Sequence, residues 1–217
     1  MNKKILSTGV LVILLVLPVL FIVILNTGEN HYEVANFPDE NGKRDKYLKN
    51  MDGTIHILPD FSFTDQEGKT VGLKDVKGKI IIADYIFTRC QTICPKMTTQ
   101  LERVQAAFID NPDVVMLSHT VDPAFDSSNV LKRYAAEHGA QYGKWYFLTG
   151  DKQKLYSHAA NGYKIVAREE AEGPEAFVHS EKVVLLDKLG RIRGFYDGTD
   201  SAKIDTLILE TKVLLKE

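Results

Sequence analysis

The chain has 217 residues, enough for one sizeable domain or two small ones. Its 27 basic and 29 acidic residues nearly cancel to a net charge of −2, which excludes the electrostatic footprint of a nucleic-acid-binding protein. With 44% hydrophobic residues a core can form without staples, and two cysteines are too few for a disulfide scaffold, so their spacing has to be read locally.

The N-terminal stretch MNKKILSTGVLVILLVLPVLFIVILNTGEN carries no charge between Lys4 and Glu29. As a helix that run reaches about 36 Å, against roughly 30 Å of hydrocarbon. No small-residue cleavage site follows it, so residues 1–28 are expected to be an uncleaved single-pass anchor in the cytoplasmic (inner) membrane. Lys3 and Lys4 stay inside and the remainder sits on the outer, periplasmic side. Residues 29–54 are polar and aperiodic and read as a tether, free to pack partly on the domain that occupies 55–217.

That domain opens with IHILPDFSFTDQEGKTVGL, two short alternating strands around a DQEG turn. KIIIADYIF is a strand buried on both faces. PKMTTQLERVQAAFID places Met97, Leu101, Val104 and Phe108 on one helical face, with Pro95 at the first helical position and Cys94 near the cap. DVVMLSHTV is a second buried strand, and DSSNVLKRYAAEHG a helix capped by Asp126 or Ser127 and stopped by Gly139. WYFLTG is a short strand, and DKQKLYSHAANG a short helix ending at Gly162. HSEKVVLLDKLGRIRGFY is a hairpin turning at Lys188–Gly190 whose first strand opens at His179. SAKIDTLILETKVLLK closes the chain as a helix with Ile204, Leu207, Ile208, Thr211 and Leu215 on one side. Strands alternating with helices, plus one hairpin, predict a single α/β domain built on a mixed sheet with helices on both faces.

The chemistry concentrates in FTRCQTICPKM, where Cys90 and Cys94 flank a strand-to-helix junction. A helix N-terminus favours a thiolate, here at Cys94. Two sulfurs four residues apart suit either dithiol–disulfide cycling or a soft ion such as Cu(I), which two thiolates and an imidazole can hold. Structural zinc fits less well, because it wants four protein ligands. His31, His56, His138 and His158 read as structural or solvated. His119, at the end of the second buried strand, and His179, after the acidic loop AREEAEGPEAF, both remain open as the third ligand on pattern alone. Met97 falls on the core stripe.

Several segments in order resemble the SCO/SenC family of membrane-anchored, thioredoxin-like copper proteins. FTRCQTICPKM is similar to its C-x-x-x-C-P segment, TVDPAFDSSNVLKRYAAEHG to its V-D-P-x-x-D segment, WYFLTG to its W-x-x-L-T-G strand, and HSEKVVLLDKLGRIRGFY to its H-S/T strand and D-x-x-G hairpin. The resemblance spans about residues 58–199. It implies a thioredoxin-like fold and copper ligands at Cys90, Cys94 and His179, with Cys90 and Cys94 also a redox pair. It implies a metallochaperone that delivers copper to the copper-bearing subunit of cytochrome c oxidase, at its binuclear copper centre, with a thiol–disulfide partner for the cysteines. Asp122 matches an acidic position near the site. Where many members carry an aspartate just before the histidine, this chain has Val178. The rival readings are a thiol–disulfide oxidoreductase or peroxidase-like relative of the same fold without a copper role, and a non-catalytic assembly protein.

Overall fold

The computed structural model describes residues 15–18, 34, 36–38, 44–169 and 177–217, with backbone alone for 168–169 and 177–179. The chain divides into two compact units, residues 1–33 and 34–217. In the first, residues 15–18 are helical. The rest of the expected anchor lies outside the described residues, among which no helix is long and apolar enough to cross a membrane.

The second unit begins with two-residue strands β1 (Phe37–Pro38) and β2 (Arg44–Asp45), paired antiparallel. This part of the predicted tether is packed. Val34 is fully buried, the Leu48 N–H donates to the Ile192 carbonyl, and the Arg191 guanidinium lies 4.1 Å from the Tyr47 ring centroid. Next come the hairpin β3 (Ser62–Thr64) and β4 (Thr70–Gly72), a short α1 (Leu73–Val76) and β5 (Ile80–Ile86). They lead into α2 (Ile93–Phe108), β6 (Val114–Thr120), α3 (Ser128–Glu137) and β7 (Trp145–Leu148). Then α4 (Lys152–Ser157) runs into a π-helical turn, His158–Tyr163. Two three-residue strands follow, β8 (Ala167–Glu169) and β9 (Phe177–His179). Last are β10 (Lys182–Leu186), β11 (Ile192–Asp197) and α5 (Ser201–Leu214).

The central sheet runs β11-β10-β5-β6-β7. β5, β6 and β7 are parallel, and β10 joins β5 antiparallel, so the sheet is mixed as expected. Every residue of β5 and of β6 is buried, because both faces are covered. Side chains alternate between the faces. On one face Asp84 and Ser118 sit with α2 and α3, which are tied by a 2.8 Å bond between the Thr98 and Tyr134 hydroxyls. On the other, Tyr85 donates to the Leu155 carbonyl of α4 at 2.9 Å, and His119 stacks on Tyr85.

The expected stripe of α2, Met97, Leu101, Val104 and Phe108, is buried. Ser127 is the cap of α3, and the chain leaves the helix at Gly139, whose φ of 60° is the left-handed conformation that a glycine adopts without a Cβ clash. Three local expectations shift. Thr92 is the cap of α2, which puts Cys94 at the second helical position and Pro95 at the third, still within the first turn where a missing N–H breaks no helical bond. His179 does not open β10 but ends β9, where it pairs with Ala167; the Ser180 N–H turns to the Val166 carbonyl and separates the two strands. α5 buries Ile204, Leu207, Glu210, Thr211 and Leu214. Its face is rotated towards Glu210, which accepts from the Tyr196 hydroxyl and from Asn36.

Candidate metal centre

Cys90 and Cys94 stand at the carboxyl end of β5, where open α/β sheets place their sites. Cys90 is half-buried in the loop and Cys94 is wholly buried on α2; both are thiols. The Cys94 N–H donates to the Cys90 sulfur at 3.4 Å, and the Thr92 hydroxyl lies 3.7 Å from that sulfur. The helix-end amide therefore serves Cys90, not Cys94 as the sequence suggested. The Cys94 thiol is pushed well above the ordinary value, first by its hydrogen bond to Cys90 and then by burial, against a bond from the Phe87 backbone. Cys90 is the sulfur with solvent access and with the helix-end amide beside it.

The loop is held from the β6 end. Asp126, fully buried, accepts from the Thr88 N–H at 3.2 Å and from the hydroxyls of Thr88 and Thr120 at 2.5 Å each. Burial raises its carboxyl pKa, and those hydrogen bonds pull it back. Asp122 pairs with the Arg89 guanidinium at 2.5 Å, and that guanidinium lies 4.3 Å from the Phe125 ring centroid. Thr88, Arg89 and Asp126 escape a reading for ligands, since none of them is one. The available signal was the pair of aspartates four residues apart at the end of a strand. Beneath the site, buried Asp84 accepts from Ser118 at 2.6 Å, and Ser118 in turn accepts from the Trp145 ring N–H at 2.8 Å.

His119 points away. Adjacent Ser118 faces Asp84, so His119 takes the opposite face of the sheet among Tyr85, Phe61, Phe63 and Tyr163, and cannot reach the sulfurs. Met97 is fully buried against Gly198, and His138 bonds to Glu102 at 2.7 Å. His56 holds the Gly162 carbonyl at 2.7 Å. His31 lies outside the described residues. For His179 the backbone gives the position. β10 pairs antiparallel with β5 through Val184 and Ala83, so β10 enters beside the end from which β5 exits into the cysteine loop. The Gly198 N–H bonds the Glu181 carbonyl at 2.8 Å, and Gly198 packs on Met97, one turn from Cys94. His179 is two residues before Glu181. Among the described residues no three or more His, Cys, Asp or Glu side chains form a metal cluster.

The SCO1/SenC family model matches residues 49–214, three quarters of the chain. The chain belongs to the SCO1/SenC family. It is 34% identical over 154 residues to the SCO1 protein homolog of Bacillus subtilis, covering 70% of this chain and 79% of that one. The structure of BsSco, described as a member of the Sco family of cytochrome c oxidase assembly proteins in which a disulfide switch was identified, superposes with a TM-score of 0.65 at 31% identity, over 74% of this chain and 94% of that one. That of Arabidopsis thaliana ScoI with copper bound gives 0.60 at 26% identity, over 72% and 99%. The mixed sheet with helices on both faces is thus the thioredoxin-like arrangement of this SCO1/SenC chain.

Proposed function

We propose that this SCO1/SenC chain is a copper metallochaperone, anchored by residues 1–28, which carries copper on Cys90, Cys94 and His179 and passes it to the copper-bearing subunit of cytochrome c oxidase. One observation carries the reading: two cysteines meet at a helix start, where the Cys94 N–H donates to the half-exposed Cys90 sulfur, at the end of the sheet where β10 enters next to His179. Thiolates select Cu(I), and a half-exposed sulfur lets a cargo ion leave by ligand exchange with a partner. The copper-bound relative supports the cargo, and the assembly role given for BsSco supports the recipient. Copper loading requires the reduced pair, so thiol redox state gates binding.

The test is a Cu(I) titration of the full chain in detergent against a competing chromogenic chelator. At Cys90, Cys94 and His179 we expect one ion in the reduced protein, none after oxidation, and weaker binding in His179→Ala. A reduced chain that binds no Cu(I) overturns the proposal, and unchanged affinity in His179→Ala removes that residue from the site.

A second reading is favoured by the asymmetry of the pair. An accessible Cys90 and a buried Cys94 match an attacking and a resolving thiol. In that reaction Cys90 thiolate attacks a partner disulfide, Cys94 then attacks Cys90, and two electrons pass to the partner, which leaves as a dithiol. Turnover of a disulfide substrate by metal-free His179→Ala, abolished by either cysteine change, would establish it.

A further inference from the structure

On the face of the sheet away from the cysteines, four buried polar atoms collect in one aromatic cluster without hydrogen-bond partners: both ring nitrogens of His119, Nε2 of His158 and the Tyr163 hydroxyl. Such groups cost free energy when left unmatched, and each asks for an occupant or a role. The backbone of Asp84 and Leu117 comes close to His119 without meeting hydrogen-bond geometry. The two imidazoles lie 5.5 Å apart between ring centroids. Two imidazoles that each turn a nitrogen to one ion about 2.0 Å away have centroids about 6.3 Å apart when linear and about 5.5 Å apart at an angle of roughly 120°, so the spacing admits a shared ion held in a bent arrangement.

We propose that His119 and His158 form a second site for a soft monovalent cation, Cu(I), separate from the cysteine centre. Its way in is a cavity of about 720 Å³ bounded by Phe61, Phe63, Ser157 and His158, between β3 and α4. Burial keeps both imidazoles neutral, His158 at about 4 and His119 well below the ordinary value, so each offers a lone pair without first losing a proton. The charge selects the ion. Among the described residues no carboxylate, thiol or third imidazole completes the pair, which disfavours zinc with its four ligands. Aromatic rings surround the pair instead: the centroids of Phe61, Tyr163 and Phe63 lie 4.8, 4.7 and 5.4 Å from that of His158, and that of Tyr85 5.0 Å from that of His119, and π-systems tolerate a single positive charge better than a second one. The local backbone is specialised. His158 and Tyr163 are the two ends of a π-helical turn, a form that recurs at functional sites, and it leads into Lys164 at φ 58°. Gly162 in that turn makes room for the ring, since a Cβ there would stand 2.9 Å from His158 Nδ1.

The experiment uses the full chain in detergent with Cys90→Ser and Cys94→Ser, titrated with Cu(I) against a chelator and, separately, with Ag(I). One ion per chain is expected, with the ring resonances of His119 and His158 shifting together, and at least tenfold weaker binding after His158→Phe or His119→Phe. X-ray absorption of the Cu(I)-loaded double serine variant should show nitrogen and no sulfur ligands, a readout that stands even if the phenylalanine variants do not fold. No binding of either ion by the double serine variant overturns the proposal, as does binding that survives loss of both imidazoles. The copper reading of Cys90 and Cys94 is untouched by either result.

Discussion

The two halves of the candidate centre are built differently. The cysteine loop is fastened to the body at consecutive residues, Thr88 to Asp126 and Arg89 to Asp122, and its second sulfur is part of a buried helix. His179 is carried by β9, which forms a two-stranded sheet with β8 through three residue pairs, apart from the central sheet. In this SCO1/SenC protein the sulfurs are therefore placed by the core, and the backbone of His179 by a ribbon with its own local pairing. In the copper site proposed above, the fixed sulfur pair would set where an ion is held and the ligand on a separate ribbon how readily it is released.

The largest expected effect tests that division directly. Cys90→Ser or Cys94→Ser should lower Cu(I) affinity at the centre far beyond the 10–100-fold typical of losing a supporting residue, whereas His179→Ala should fall near that range and accelerate release to a chelator. Equal losses of affinity for all three, with equal release rates, would erase the distinction between the halves.

Next in size is the fastening itself. Asp126→Ala leaves the Thr88 N–H and the hydroxyls of Thr88 and Thr120 without their acceptor, in a region where Thr120 is fully buried. We expect a loss of about 3 kcal/mol in urea unfolding and a melting temperature lower by roughly 10 °C. A change below about 1 kcal/mol would mean the loop is held by other contacts.

Smaller again is a pH effect from the opposite face of the sheet. Above pH 6.5 His158 is neutral folded and unfolded, so it contributes nothing to pH dependence. Between 6.5 and about 4 the unfolded chain takes up a proton that the buried ring refuses, and stability falls as pH falls. The slope is about 1.4 kcal/mol per pH unit at its steepest, and His119 acts in the same direction. Urea unfolding at pH 7 and pH 5 should show the loss, and His158→Phe should shrink it.

How far the sequence disclosed this architecture follows the reach of each signal. β5, β6 and α2 were legible because apolar periodicity is local and the core enforces it. The start of α2 was misplaced by two residues because Thr92, its cap, makes no side-chain capping bond and so left Pro95 as the only punctuation. The direction of His119 was implicit in strand alternation, yet it needed Ser118 bonded to Asp84 to say which face was which. Glu210 was not among the residues expected on the packed side of α5, because its partners, Tyr196 and Asn36, are distant in sequence. The same distance hid the anchors of the site, since 38 residues separate Thr88 from Asp126. The β8–β9 pairing had no periodic pattern to announce it, so the residues alone favoured His179 over His119 without excluding either, and the resemblance to the family is what singled out His179.

The finest test separates position from charge at Arg89. Its ion pair with Asp122 is partly exposed, the arginine side chain at 37%, so Arg89→Gln should change stability by less than about 1 kcal/mol. Copper affinity should respond more, falling up to about tenfold, for two reasons. The residue before Cys90 loses its hold on Asp122 and Phe125, and a site with two thiolates around a monovalent ion loses a neighbouring positive charge. Arg89→Lys keeps the charge but gives up the planar guanidinium that stacks on Phe125. If charge dominates, lysine restores affinity, and the difference between wild type and Arg89→Gln shrinks as salt is raised. If position dominates, lysine resembles glutamine and salt matters little. The second outcome is the one expected from a loop whose adjoining residues are each tied to the same turn, because moving Cys90 weakens every ligand bond at once while screening touches only one charge.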